Sequence, residues 1–249
     1  MEGSLVVSPP RQRTLRARAS AAAAGLLVLV PKAKLLLTAG TAVASIAAYS
    51  LFFGWWFAAG LVVLLLIHEM GHVIALRREG IAASPPMFIP FLGAVITARS
   101  LGDDAAAEAR VGLGGPVLGT LGAFGALALY GLTGDPLLKG LAYVGFLLNL
   151  FNLLPVVPLD GGRAMAAMTP WMWFAGLGLL AYLTFTVHGG ILPIILILAV
   201  FETYRRVRDR DRSYYKVRPR QRVAIGAVYL LLVAVLAVAM HATYVHYPF

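Results

Sequence analysis

The chain has 249 residues, 60% of them hydrophobic and 13% charged, with a net charge of +10 and no cysteine. A soluble domain carries about a quarter charged residues, so this much apolar side chain points to the bilayer as solvent. Without cysteine there is no disulfide and no thiolate ligand, and any metal must be held by His, Asp, Glu or water.

The first 34 residues form a basic arm, with Arg11, Arg13, Arg16 and Arg18 ahead of an apolar run that ends at Val30. The run lacks the cleavage site of a secretory signal. A cytoplasmic arm, an interfacial helix and a re-entrant segment all stay open for it. Residues 35–53 are the first stretch of the roughly 20 apolar residues a membrane crossing needs. A tight turn at Gly54 leads to a second, 55–76. Within it His68, Glu69 and His72 stand in the order HExxH among Leu, Ile and Val. Ionisable groups at membrane depth are costly and mark function. On a helix this spacing brings both imidazoles to one face, one turn apart, where they can hold a zinc ion while Glu69 stays free to act on water.

Residues 88–96 are apolar but too short to span, which suits a segment that re-enters the membrane. Asp103, Asp104 and Glu108 read as a solvated loop. The third span is 111–131, and the fourth is 137–158, broken at its end by Pro155 and Pro158 and followed by Asp160-Gly161-Gly162. Spans five and six, 171–187 and 189–204, are divided at Gly189-Gly190, and the sixth is short. A basic stretch, 205–222, precedes a seventh span, 223–245. Trp55, Trp56, Trp171 and Trp173 lie at span ends and read as interfacial anchors. The expected fold is an all-α integral membrane protein with six to seven transmembrane helices. Its parts are the arm 1–34, a membrane core 35–204, a cytoplasmic loop 205–222, and a last helix with a short outer tail, 223–249.

With the N-terminus in the cytoplasm, the inner segments hold 20 of the 21 Lys and Arg, and only Lys139 falls outside. That is the asymmetry of the positive-inside rule. It also accounts for the run from Arg205 to Arg222 as a topology signal in contact with anionic lipid, with no nucleic-acid partner. In this orientation the second span runs inward, so His68 and His72 approach the cytoplasmic side. The fourth span also runs inward and delivers Asp160 to the same depth. A catalytic zinc takes three protein ligands, and Asp160 is the candidate third; alone it reads equally well as a turn aspartate beside glycine. His188, His241 and His246 map to the outer side. Glu2, Glu79, Glu108 and Glu202 offer a glutamate alternative; Glu202 is read instead as pairing with Arg205 or Arg206 on its helix.

His68-Glu69-Met70-Gly71-His72, together with Asn152-Leu153-Leu154-Pro155 and Pro158-Leu159-Asp160-Gly161-Gly162, resembles the site-2 protease family of intramembrane zinc metalloproteases, peptidase family M50, in a compact form without PDZ or CBS domains. The resemblance covers about Trp55 to Arg163. It implies zinc held by His68, His72 and Asp160, with Glu69 as the catalytic base. It implies a membrane-embedded β-hairpin-like segment near 86–97, around Phe91 and Gly93, beside the substrate path. Gly114-Gly115-Pro116 resembles the family's Gly-Pro element, although Val117-Leu118-Gly119 lacks the asparagine that often follows. Asn152 is either a polar aid to the reaction or a tie for broken backbone.

The expected function is therefore hydrolysis of peptide bonds within or near transmembrane segments of membrane protein substrates, using zinc-activated water. The substrate reaches the site from the lipid bilayer, and recruitment would fall to a separate partner. The alternatives are a membrane transporter or metal-handling protein, and a catalytically silent scaffold of the same fold. The intact Glu69 argues against the scaffold.

Overall fold

The computed structural model describes residues 33–91, 93–100, 102–187, 190–208 and 213–244. Most of the basic arm, together with His188, Gly189 and His246, lies outside the described residues. Helix α1 is Ala33–Phe53. Gly54 takes φ +78°, a conformation that suits glycine, and turns the chain directly into α2, Trp55–Arg78. Next come strands β1, Met87–Ile89, and β2, Gly93–Val95. The remaining helices are α3, Ala105–Thr133, α4, Pro136–Asn152, α5, Asp160–Ala166, α6, Met172–Thr186, α7, Leu192–Arg208, and α8, Pro219–Thr243.

Four of these helices, α1, α2, α3 and α8, are long and apolar enough to cross a membrane. The other expected spans are shorter, with α4 at 17, α6 at 15 and α7 at 17 residues. Helix α4 stops at Asn152, well before the expected end at 158, because residues 153–159 carry Pro155 and Pro158 and fold as a chain of turns. After that turn residues Asp160–Ala166 form a short helix of their own, α5.

Helix α3 is the centre of the molecule, packed on α2, α4, α5 and α8. Its crossing with α2 is closed by two glycines. A Cβ on Gly71 would collide with the carbonyl oxygen of Gly114, and one on Gly114 would lie 2.7 Å from that of Gly71. Small residues of this kind let helix backbones meet in a membrane. One apolar cluster joins α3, α4, α5, α8 and Trp173 of α6, and a second joins α1, α2, Phe88 of the hairpin and Leu141 of α4.

Two expectations are corrected here. Glu108 is not in a solvated loop; it lies inside α3 and is 1% exposed. The Asp104 carboxylate caps that helix by accepting from the Ala107 N–H at 2.7 Å, so α3 begins at Ala105 and draws a run of alanines into the core. Glu108 is then paired by Arg206 and Tyr214. Trp173 is not an interfacial anchor either, being fully buried, whereas Trp55, Trp56 and Trp171 are exposed.

The hairpin forms with register Met87↔Val95, Phe88↔Ala94 and Ile89↔Gly93. Its β1 side is fastened to α1. The Phe88 N–H donates to Thr41 Oγ1 at 3.2 Å, and Thr38 Oγ1 donates to the Pro86 carbonyl at 2.7 Å. The turn is held by Phe91, whose φ is +65°; its N–H donates to the Tyr49 hydroxyl, and its ring packs edge-on to Tyr49 and Phe52.

Candidate metal centre

The HExxH spacing does on α2 what a helical repeat requires. His68 and His72 share a face, with ring centroids 4.9 Å apart and both side chains buried. Across from them α5 begins at Asp160. The Asp160 Oδ2 atom lies 3.1 Å from His68 Nε2 and 3.2 Å from His72 Nε2, and the two Nε2 atoms are 3.1 Å apart. The three ligand atoms thus form a near-equilateral triangle. A tetrahedral centre with bonds of about 2.0–2.1 Å separates its ligand atoms by about 3.3 Å, so the triangle has the dimensions of a zinc site.

The outer partners of the imidazoles sharpen the point. His68 Nδ1 is 2.8 Å from Asn149 Oδ1, and Asn149 is oriented by its own Nδ2, which donates to the Gly145 carbonyl at 2.7 Å. His72 Nδ1 is 2.8 Å from the Val111 carbonyl oxygen. Both Nδ1 atoms therefore donate, and in the neutral rings both Nε2 atoms present lone pairs. Two lone pairs 3.1 Å apart and facing a carboxylate repel unless a cation sits among them. Gly115 backs the same space. A Cβ there would strike His72 Nε2 and come within 2.7 Å of His68 Nε2. The residues present fit a divalent metal, and among the described residues His68, His72 and Asp160 are the group whose ligand atoms converge.

Glu69 follows His68 on α2, half-buried and within electrostatic reach of His72, His68, Asp160 and Arg163. The second carboxylate oxygen of Asp160, Oδ1, faces Arg163 Nη1 at 3.8 Å. Pro116 is buried inside α3, next to Gly115. Asn152 is half-buried at the end of α4, and the asparagine that bonds a histidine is Asn149, one turn earlier. Phe91, 49% exposed, and Gly93 sit at the hairpin turn, on a separate element from the triad. Sequence reasoning did not single out Asn149; its signal was an amide in an apolar helix, three residues ahead of Asn152. His241 lies exposed near the far end of α8, and Glu202 pairs with Arg205 and Arg206 as expected.

Comparison with known proteins places the centre in context. The model of peptidase family M50 matches residues 56–143, a segment that holds His68, Glu69 and His72 and ends before Asp160. Rip3 of Mycobacterium tuberculosis, a protein named as a zinc metalloprotease, is 37% identical over 134 residues, covering 48% of this chain and 32% of Rip3. Zinc metalloprotease MJ0392 of Methanocaldococcus jannaschii is 29% identical over 115 residues, covering 43% of this chain and 32% of the relative. The chain spans about a third of the length of the curated relatives it matches. The histidine pair and its glutamate lie inside the matched segment, and four of the described helices are long and apolar enough to cross a membrane; over residues 56–143 the chain is similar to peptidase family M50.

Proposed function

We propose that this chain is an intramembrane zinc endopeptidase that cuts membrane proteins within or near their transmembrane segments. The observation that carries the reading is the triangle of His68 Nε2, His72 Nε2 and Asp160 Oδ2, with both Nδ1 atoms tied back to Asn149 and Val111. His68, His72 and Asp160 would hold the metal. Zinc, when bound, supplies Lewis-acid polarisation of water and of the scissile carbonyl. Glu69 takes the proton from the attacking water and returns it to the leaving amine nitrogen. Asn149 and Val111 hold the imidazoles in the tautomer that leaves Nε2 free, and Arg163 turns Asp160 so that Oδ2 faces the histidines. Asn152, Gly115 and Pro116 support the walls of the site.

A peptide bond in a helix is shielded by its own hydrogen bonds, so the substrate has to be extended when it is cut. The hairpin offers a template for this. Its β1 side is fastened to α1, which leaves β2, packed near α2, to pair edge-on with an extended segment. Phe91 and Gly93 shape the turn of that template. The metal centre lies toward the cytoplasmic ends of α2 and α4, so the released product is a cytoplasmic fragment, and a separate partner brings the substrate to the enzyme.

The test pairs two substitutions. In Glu69→Gln, zinc content measured on the purified protein should match the wild type, while cleavage of a model single-span substrate falls by at least about 10²-fold. In His68→Ala, zinc itself should be lost. Full cleavage by Glu69→Gln would overturn the assignment.

A further inference from the structure

The candidate third metal ligand sits on a seven-residue helix that is buried against α3, and a side-chain hydrogen bond from α6 holds it from the other side. The indole Nε1–H of Trp173 donates to the carbonyl oxygen of Gly162 at 2.8 Å, in full burial. Gly162 is two residues after Asp160 in the same short helix, α5. The Trp173 ring is fixed in turn. The guanidinium carbon of Arg206 lies 5.7 Å from its centroid, within cation–π range, and the Tyr215 ring meets it edge-on at 6.2 Å. Arg206 is itself held by charge. Its Nη2 is 2.7 Å from Oε1 of the buried Glu108, and its Nε is 3.2 Å from Glu202. Tyr214 completes the cluster by donating its hydroxyl to Glu108 Oε2 at 2.8 Å, while its carbonyl accepts from the Ala105 N–H at 3.0 Å.

We propose that Trp173 is a positioning residue for the metal centre: it fixes α5, and with it the Asp160 carboxylate, from the buried Glu108–Arg206–Tyr214 cluster. This rests on the metal reading of the triad. The physical reason is tolerance. Metal ligands must lie within about 0.2 Å of their ideal distances, and α5 is too short to hold its own register. Losing the indole donor removes the buried hydrogen bond that ties α5 to α6, so that α5 is freer to shift against the histidines. Trp173, Arg206 and Tyr214 all lie beyond residue 143, where the family match stops, so the C-terminal helices govern a site whose histidines lie in the matched part.

The experiment measures metal affinity of the full-length chain in detergent by chelator competition with Zn2+, and records the visible spectrum with Co2+. Trp173→Phe keeps an aromatic ring but removes the Nε1–H donor together with part of the indole; it should weaken affinity by about 10-fold or more and alter the Co2+ spectrum. Arg206→Lys keeps the charge but not the planar stack and should weaken affinity in the same direction. The two losses should be less than additive in the double variant. Thr243→Val removes a buried hydrogen bond at the far end of α8 and should leave affinity unchanged. Wild-type affinity and spectrum in Trp173→Phe would overturn the inference, as would an equal loss in Thr243→Val. If Trp173→Phe does not fold, Arg206→Lys decides, and wild-type affinity there is the overturning result. A wild-type chain that bound no metal would remove the metal centre itself, and this inference with it.

Discussion

At the scale of single residues, the proposed metal centre depends on one position that leaves no room for a side chain. Gly115 faces both Nε2 atoms, and the space a methyl group would take there is the space between the ligands. Gly115→Ala should therefore abolish metal binding, seen as loss of zinc in the purified protein, with the helices still formed by circular dichroism. Gly125→Ala, on the same helix but with no atom within 4 Å of the added Cβ, should keep wild-type zinc. Zinc retention in Gly115→Ala would mean that the metal sits elsewhere. The histidines and Glu69 were legible in the sequence because HExxH encodes a helical face by spacing alone. Asp160 was the expected third ligand from its place after the fourth apolar stretch and from the family resemblance, and the structure brings its Oδ2 to both imidazoles. Asn149 was not, because nothing in a linear pattern says which of two nearby amides faces an imidazole. Trp173 was misread for a related reason. Its place at the edge of an apolar segment fits an interfacial anchor, and only the packing of α5 beneath it and Arg206 above it reveals the buried role.

At the scale of elements, the hairpin is the part that the proposed function assigns to substrate handling. Gly93 opens β2 with φ +93° and pairs with Ile89. Proline cannot adopt that φ and has no N–H to give. Gly93→Pro should break the β1–β2 pairing and cut cleavage by about 10-fold or more, while zinc content stays at the wild-type level because the triad lies on α2 and α5. Unchanged cleavage would remove the hairpin from the reaction. The apolar stretch too short to span marked this segment, and the family resemblance implied its hairpin, but the start of α3 was not legible. Asp103, Asp104 and Glu108 look like solvent-facing charge; in three dimensions Asp104 is a helix cap and Glu108 is neutralised inside the fold. The end of α4 was placed too late because hydropathy continues through Val156 and Val157, whereas the prolines end the helix.

At the scale of the whole molecule, the charge pattern and the packing agree on one polar end. Arg78, Glu79 and Arg110 gather with Gln221 around a cleft of about 550 Å³ between α2, α3 and α8, and the Arg206–Glu108 pair lies at the same end of α3. Lys139, the one basic residue assigned to the other side, meets Tyr130, Tyr143, Thr243 and Tyr244 around a second cleft. His72 is six residues before Arg78, or about 9 Å along the helix axis, so the metal centre lies nearer the basic end than the Trp55 end. By the positive-inside rule we propose that this end faces the cytoplasm. The chain has no cysteine of its own, so single introduced thiols report sidedness without background. Thr133→Cys, at the exposed end of α3, should react with a membrane-impermeant maleimide on intact cells. Lys216→Cys, in the basic stretch before α8, should react only after permeabilisation. The reverse pattern would put the metal centre on the outer side, and the fragment freed by cleavage would then leave the cell surface instead of entering the cytoplasm.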